Sequence, residues 1–217
     1  MADDFRSLND FRLGATCDSV KAWLEKRNAP ALPRPWEICE GQGYRTVRVY
    51  DLLDATRTVS FTPDNMVWKL GFHAHPLPKA GGRSARALQQ YFEKFGRPAL
   101  EDGISVDEAV FNPEGVSTLD KLDFRLAWAS SHPNPAVTES TVVELKCPAQ
   151  RQGGADCLSQ QASASNESWS KHLGALSGVI VVARFHPTAH GMGSYTVETY
   201  LKNHLERASA ATPAGKR

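Results

Sequence analysis

The sequence predicts an α+β fold in which a central mixed β-sheet is flanked by helices and preceded by an antiparallel β meander. Three observations support this class. Residues 44–72 alternate β-branched and aromatic side chains with polar ones, residues 84–185 follow a helix–strand–strand–strand–helix–strand order, and 41% hydrophobic with 23% charged residues is an ordinary globular composition. We therefore expect a helix and meander arm over residues 1–78, a core over residues 79–207 and a disordered tail over residues 208–217.

The N-terminal arm is predicted to start with a helix and to continue with strands. Thr16 or Asp18 can cap a helix that runs to about Arg27, because apolar residues recur there at helical spacing. The connector that follows, residues 28–36, is rich in proline and cannot be helical. Three alternating segments then predict strands over residues 44–50, 58–62 and 66–70, with a turn over residues 63–65.

The second half of the chain alternates helices and strands. Ser84 can cap a helix that ends before Gly96 and carries its large apolar residues on one face. Strands are predicted over residues 106–111, 121–128, 140–147, 178–185 and 195–200, and helices over residues 156–172 and from the last strand to Glu206.

Charge and cysteine content exclude several classes of protein. The 25 Lys and Arg residues balance the 24 Asp and Glu residues, so a nucleic-acid-binding surface would have to concentrate its positive charge locally. No apolar run reaches the roughly 18 residues of a membrane span, and the acidic, polar N-terminus predicts no signal peptide. The four cysteines lack zinc-ligand spacing, which favours free thiols in the cytoplasm or nucleus, while secretion without a signal peptide stays open.

One constellation of charged residues carries the functional prediction. Alternation places Asp123 on the polar face of its strand, and it places Glu144 and Lys146 together on one face of a later strand. If the two strands pair, these three side chains converge on one side of the sheet. The two carboxylates and the carbonyl oxygen of Leu145 can then hold Mg²⁺ or Mn²⁺, and the lysine can stabilise negative charge on a phosphate. The pattern therefore predicts metal-assisted hydrolysis of a phosphodiester.

The same residues resemble a known nuclease pattern. Gly115, Leu122-Asp123, Val143-Glu144-Leu145-Lys146 and Gln160-Gln161 together resemble the motifs of the PD-(D/E)XK superfamily, whose fold is that of restriction endonucleases. The resemblance covers residues 84–185 and implies an αβββαβ core. It also implies that Asp123 and Glu144 are metal ligands, that Lys146 is the catalytic lysine, and that Gln160 or Gln161 is the helix glutamine of the RecB-like and exonuclease branches.

The resulting expectation is a Mg²⁺-dependent nuclease that acts on DNA, with RNA left open as a substrate. Whether cleavage is internal or from an end, and whether the protein forms a homodimer, stays open. No membrane partner is expected. The alternatives are a catalytically inactive module of the same fold, which binds nucleic acid or assembles with protein, and an unrelated α+β interaction protein in which the charged residues do not meet.

Overall fold

The predicted α+β class is confirmed by a computed structural model in which a large antiparallel sheet is flanked by helices. The structure describes residues 4–52, 55–75, 83–102, 123–131, 169–187 and 193–211. The first three predicted meander strands and the predicted strands near residues 121–128, 178–185 and 195–200 are all present, with ends shifted by a few residues. The predicted strands at 106–111 and 140–147 lie outside the described residues.

The described strands near the N-terminus are short, and most of the later strands are longer. The strands are β1 (Ser7–Leu8), β2 (Phe11–Arg12), β3 (Ala31–Leu32), β4 (Arg45–Leu52), β5 (Ala55–Phe61), β6 (Val67–Ala74), β7 (Leu100–Asp102), β8 (Phe124–Ala129), β9 (Val179–His186) and β10 (Ser194–Leu201). A 3-10 turn at Asp4–Arg6 precedes them, and the helices are α1 (Cys17–Arg27), α2 (Arg83–Phe95), α3 (described over residues 169–175) and α4 (Lys202–Ala211).

Eight of the strands form one sheet in the order β3-β4-β5-β6-β10-β9-β8-β7, and β1 pairs with β2 in a separate hairpin. Every described pairing in the large sheet is antiparallel. The meander β4-β5-β6 is therefore confirmed. It joins the rest of the sheet where β6 pairs with β10, from Lys69 opposite Tyr200 to Ala74 opposite Tyr195. Strands from both sides of the predicted boundary at residue 78 thus belong to one sheet.

The ends of α1 and α2 show the local signals expected from the sequence. Thr16 caps α1, because its side-chain oxygen accepts a hydrogen bond from the Ser19 amide, and Asn28 ends the helix in the left-handed conformation. Gly96 follows α2 with a φ of 76°, a value that favours glycine, and its carbonyl oxygen accepts a hydrogen bond from Trp128 Nε1 at 2.8 Å. This bond fixes the end of α2 against β8.

The two faces of the sheet bury different clusters. The larger cluster packs α1, α2 and the β1-β2 hairpin on one face, and it includes Phe61, Leu88, Leu126, Trp128 and Phe185. The smaller cluster packs α3 and α4 on the other face, and it includes Trp68, Trp169, Leu176, Ile180 and Tyr200. Only part of this second face is covered by helices within the described residues. No helix in the described part of the chain is long and apolar enough to cross a membrane.

Two expectations from the sequence are corrected by the structure. Cys17 and Cys39 form a disulfide, so these two thiols are not free; their Cα atoms lie 5.7 Å apart, within the range that a disulfide bridges. The predicted tail also starts too early. Residues 208–211 are the last turn of α4, where Ala208 packs against the smaller cluster.

Candidate functional site

Asp123 stands at the edge of the uncovered part of the second face. It directly precedes β8, and its side chain is 70% exposed. Its carboxylate Oδ1 lies 3.3 Å from Nδ1 of His186 at the end of β9. The pairing of Phe124 with Phe185 sets this contact, because the next residues along the two antiparallel strands are Asp123 and His186.

The alternation predicted for this strand is confirmed over its described residues. Phe124, Leu126 and Trp128 pack into the larger cluster, whereas Ala127 and Ala129 pack into the smaller one on the opposite face. Asp123, two residues before Arg125 and four before Ala127, therefore belongs to the second face, as the sequence predicted.

The neighbouring strands extend this polar surface. In register across the sheet, Arg184 on β9 lies opposite Thr196 on β10, which lies opposite His73 on β6, which lies opposite Thr56 on β5. We call the part of the second face that no described helix covers, from Tyr50 on β4 to Asp123, the open face. A shallow cavity of about 310 Å³ lies on it, lined by Val182, Arg184, His186, Thr196 and Glu198.

Three histidines gather on the open face. Strand β6 continues through Ala74, so the rings of His73 and His75 lie on the same side, with centroids 4.6 Å apart. Nε2 of His75 is 2.9 Å from the hydroxyl of Thr56. Partial burial lowers the pKa of His73 below its ordinary value of 6.5, and the neighbouring His75 and His186 lower it further. His73 is thus held mainly neutral near pH 7.

Two further acids that the structure describes, Glu198 near the cavity and Asp102 at the edge of the sheet, have positive partners. Glu198 Oε1 lies 2.7 Å from Lys69 Nζ. At the far edge of the sheet, Asp102 Oδ2 lies 2.5 Å from Arg125 Nε. Burial raises the pKa of Tyr200 to about 12, aided by Glu198 and opposed by Arg184, so its phenol stays protonated. Arg184 itself forms no ion pair within the described part of the chain, and it is exposed.

The structure places one of the predicted site residues. Asp123 is on the open face, while Glu144, Leu145, Lys146, Gln160 and Gln161 lie outside the described residues. Along Arg125 to Ala127, β8 pairs with β7 on one side and with β9 on the other. Both hydrogen-bonding edges of β8 are occupied there. Because Glu144 and Lys146 lie outside the described residues, their convergence with Asp123 stays a prediction.

Several residues of the open face were not selected from the sequence. The sequence predicts a strand over residues 178–185, and the alternation Ala183-Arg184-Phe185-His186 contains the signal that Arg184 and His186 share a polar face. Alternation could not show that His73 shares this face with Arg184, because their alignment depends on the pairing of β6 with β10 and of β10 with β9. Strand β6 is more than a hundred residues from β9 and β10 in sequence.

Comparisons with known proteins assign no family. No protein-family model, no curated protein and no solved structure matches the chain. Among the described residues, no group of three or more His, Cys, Asp or Glu side chains is arranged to hold a metal ion.

Proposed function

We propose that the protein is a metal-dependent nuclease that hydrolyses phosphodiester bonds in DNA at the open face. The observation that supports this proposal most is the position of Asp123. Its carboxylate is accessible on a sheet face that also presents the exposed guanidinium of Arg184, which has no ion-pair partner in the part of the chain that the structure describes. A carboxylate that can hold a cation and a guanidinium that can bind a phosphate are two groups that metal-assisted phosphodiester hydrolysis can use.

The metal would be held by Asp123 and Glu144, with the carbonyl oxygen of Leu145. What supports this part of the proposal is that Asp123 offers an exposed oxygen donor of the kind that Mg²⁺ and Mn²⁺ prefer. A bound divalent ion would lower the pKa of a water molecule and neutralise charge on the phosphate.

The chain's own side chains would then bind and orient the substrate. Arg184 would contact a phosphate oxygen, as its guanidinium is exposed on β9 beside the cavity. Lys146 would stabilise the negative charge that develops during hydrolysis, and Gln160 or Gln161 would orient the site from the following helix. His186 would hold the Asp123 carboxylate in place through the 3.3 Å contact.

The same contact also favours a second candidate function. Because an imidazole nitrogen already faces Oδ1 of Asp123, this carboxylate has a partner without any cation. In a catalytically inactive module that binds nucleic acid or assembles with protein, Asp123 and His186 would form a structural cross-strand pair. The two functions differ in whether a divalent ion binds.

The proposed partners and location follow from this activity. DNA is the proposed substrate, and a homodimer is a proposal that oligomer measurements can test. A cytoplasmic or nuclear location fits a nuclease that acts on cellular DNA. The Cys17–Cys39 disulfide instead favours an oxidising compartment, where such bonds persist, so a secreted nuclease is the rival location.

The deciding experiment incubates purified protein with supercoiled plasmid and linear DNA, with Mg²⁺, with Mn²⁺ and with EDTA. We expect cleavage that EDTA abolishes and that falls about 10²-fold or more in Asp123→Asn and in Lys146→Ala. The matched control is Asp64→Asn, which removes an exposed carboxylate in the turn between β5 and β6, at the opposite end of the strands from Asp123. The control should cleave as the wild type does.

A thermal-shift measurement separates the two candidate functions. Mg²⁺ at millimolar concentration should raise the melting temperature of the wild type and of Asp64→Asn, but not of Asp123→Asn, because a ligand stabilises only a protein that can bind it. If Mg²⁺ shifts none of the three proteins and no DNA is cleaved, the nuclease proposal is wrong and the inactive module takes its place.

A further inference from the structure

The open face carries positive charge and an exposed aromatic ring well away from Asp123. Val47 and Val49 on β4 are fully buried in the larger cluster, so the alternate residues Arg48 and Tyr50 point to the opposite face. Tyr50 is 39% exposed, and Arg48 is exposed and forms no ion pair among the described residues. Neither residue is used by the proposed chemistry.

The strand pairings connect this end of the face to the site. One row of paired residues runs from Thr56 through His73 and Thr196 to Arg184. Arg48 begins the neighbouring row, which runs through Thr58 and Gly71 to Glu198, and Tyr50 stands where the register of β4 against β5 shifts before Leu52. From β4, which carries Arg48 and Tyr50, to β9, which carries Arg184, the face crosses five adjacent strands. At about 4.8 Å per strand spacing, it spans about 19 Å.

The row from Thr56 to Arg184 contains no acidic side chain. Glu198, which lies in the row of Arg48, is paired with Lys69, and Asp123 faces His186. Among the side chains that the structure describes on this part of the face, the guanidinium groups of Arg48 and Arg184 are therefore the charged groups without an ion-pair partner.

We propose that the stretch of the open face from Tyr50 and Arg48 on β4 to Arg184 on β9 is a binding track for single-stranded DNA, which leads the strand to the site at Asp123. This proposal rests on the proposed nuclease function and names the form of its substrate. Two separated guanidinium groups can each hold a phosphate, and Tyr50 offers an exposed ring on which an unpaired base can stack. In duplex DNA the bases are already stacked on each other, so a duplex cannot use Tyr50 in this way.

The test measures binding of a fluorescent oligothymidylate of about 20 nucleotides by fluorescence anisotropy, in EDTA so that no cleavage occurs. We expect Tyr50→Ala to raise the Kd about 5-fold or more, and Tyr50→Phe to keep the wild-type Kd because the ring remains. Arg48→Gln and Arg184→Gln should each weaken binding and reduce the slope of log K against log salt by about 0.7.

The matched control is Arg86→Gln. Arg86 is exposed on α2, and α2 packs on the opposite face of the sheet through Ala87 and Leu88. Arg86→Gln changes the net charge by the same amount as the other arginine variants. Its Kd and its salt slope should nevertheless equal those of the wild type. An equal loss of affinity in Arg86→Gln would show that net charge alone drives binding, and the track would be rejected.

Three other outcomes would also overturn the proposal. A duplex of equal length that binds as tightly and is insensitive to Tyr50→Ala would exclude a stacking track, and tighter binding of oligouridylate would assign the face to RNA. Poly-glutamate that displaces the oligonucleotide at equal charge concentration would assign it to an acidic polypeptide.

The track proposal and the nuclease proposal can be rejected independently of each other. Oligothymidylate binding with the expected variant effects, but without cleavage in Mg²⁺ or Mn²⁺, would reject the nuclease and keep the track. Cleavage by the wild type, with binding unchanged in Tyr50→Ala and in Arg48→Gln, would reject the track and keep the nuclease.

Discussion

Breaking the disulfide between Cys17 and Cys39 should remove a substantial part of the protein's stability. The bond closes a loop of 22 residues that contains all of α1 after its first residue and the short edge strand β3. For a loop of this length, the lost constraint on the unfolded chain corresponds to about 3 kcal/mol of unfolding free energy at 25 °C. In a protein of this size, that loss lowers the melting temperature by roughly 6–12 °C.

The native structure near the bond should survive its removal. Arg45 donates a hydrogen bond from Nε to the carbonyl oxygen of Ile38 at 2.8 Å, and Asn65 Nδ2 donates one to the carbonyl oxygen of Cys39 at 3.4 Å. Ile38 is fully buried. These contacts hold the loop without the disulfide, so loss of the disulfide should act through the unfolded state and leave the native fold unchanged.

The assay is urea unfolding followed by tryptophan fluorescence, with and without dithiothreitol, on the wild type and on the double variant Cys17→Ala/Cys39→Ala. Reductant should destabilise the wild type by about 3 kcal/mol and leave the double variant unchanged. The double variant thereby controls for the two other cysteines, Cys147 and Cys157. Peptide mapping without reductant should recover Cys17 and Cys39 in one linked pair. Equal stability of the wild type with and without reductant, or recovery of both cysteines as free thiols, would refute this reasoning.

Three further predictions concern the core and the open face. The pKa of folded His73 lies below 6.5, so the stability that this residue contributes is present above pH 6.5 and is lost as the pH falls through its lower folded pKa. The urea midpoints measured at about pH 7.5 and at about pH 5.5 should therefore differ less in His73→Gln than in the wild type. Leu126→Ala, in a fully buried position, should cost about 2–5 kcal/mol in urea unfolding, while Leu32→Ala, at a side chain that is 61% exposed, should change stability by no more than about 0.5 kcal/mol. In Gly71→Ala the new Cβ would overlap the Thr58 hydroxyl oxygen, which should lower the free energy of unfolding by about 1–3 kcal/mol. If that overlap is the cause, the double variant Gly71→Ala/Thr58→Ala should regain most of the lost stability.

Local signals in the sequence determined most of the described elements. Alternation identified the meander strands and the polar side of β8, and capping residues identified α1, because these features depend on side chains a few residues apart. The placement of Asp123 on the second face also followed from alternation alone. The short strand β7 and the β1-β2 hairpin were missed, since strands of two or three residues are too short to show a period.

Tertiary structure decided which of these elements meet. Nothing in the local pattern states that β6 pairs with β10, yet this pairing makes one sheet of the two predicted segments and brings His73 into line with Arg184. The contact of Asp123 with His186 and the bond between Cys17 and Cys39 depend in the same way on distant parts of the chain. The sequence by itself thus determined the elements and the sides of the strands on which charges lie. Only the folded chain decided their partners, because strand pairing is set by the burial of whole faces and by hydrogen bonds between segments far apart in sequence.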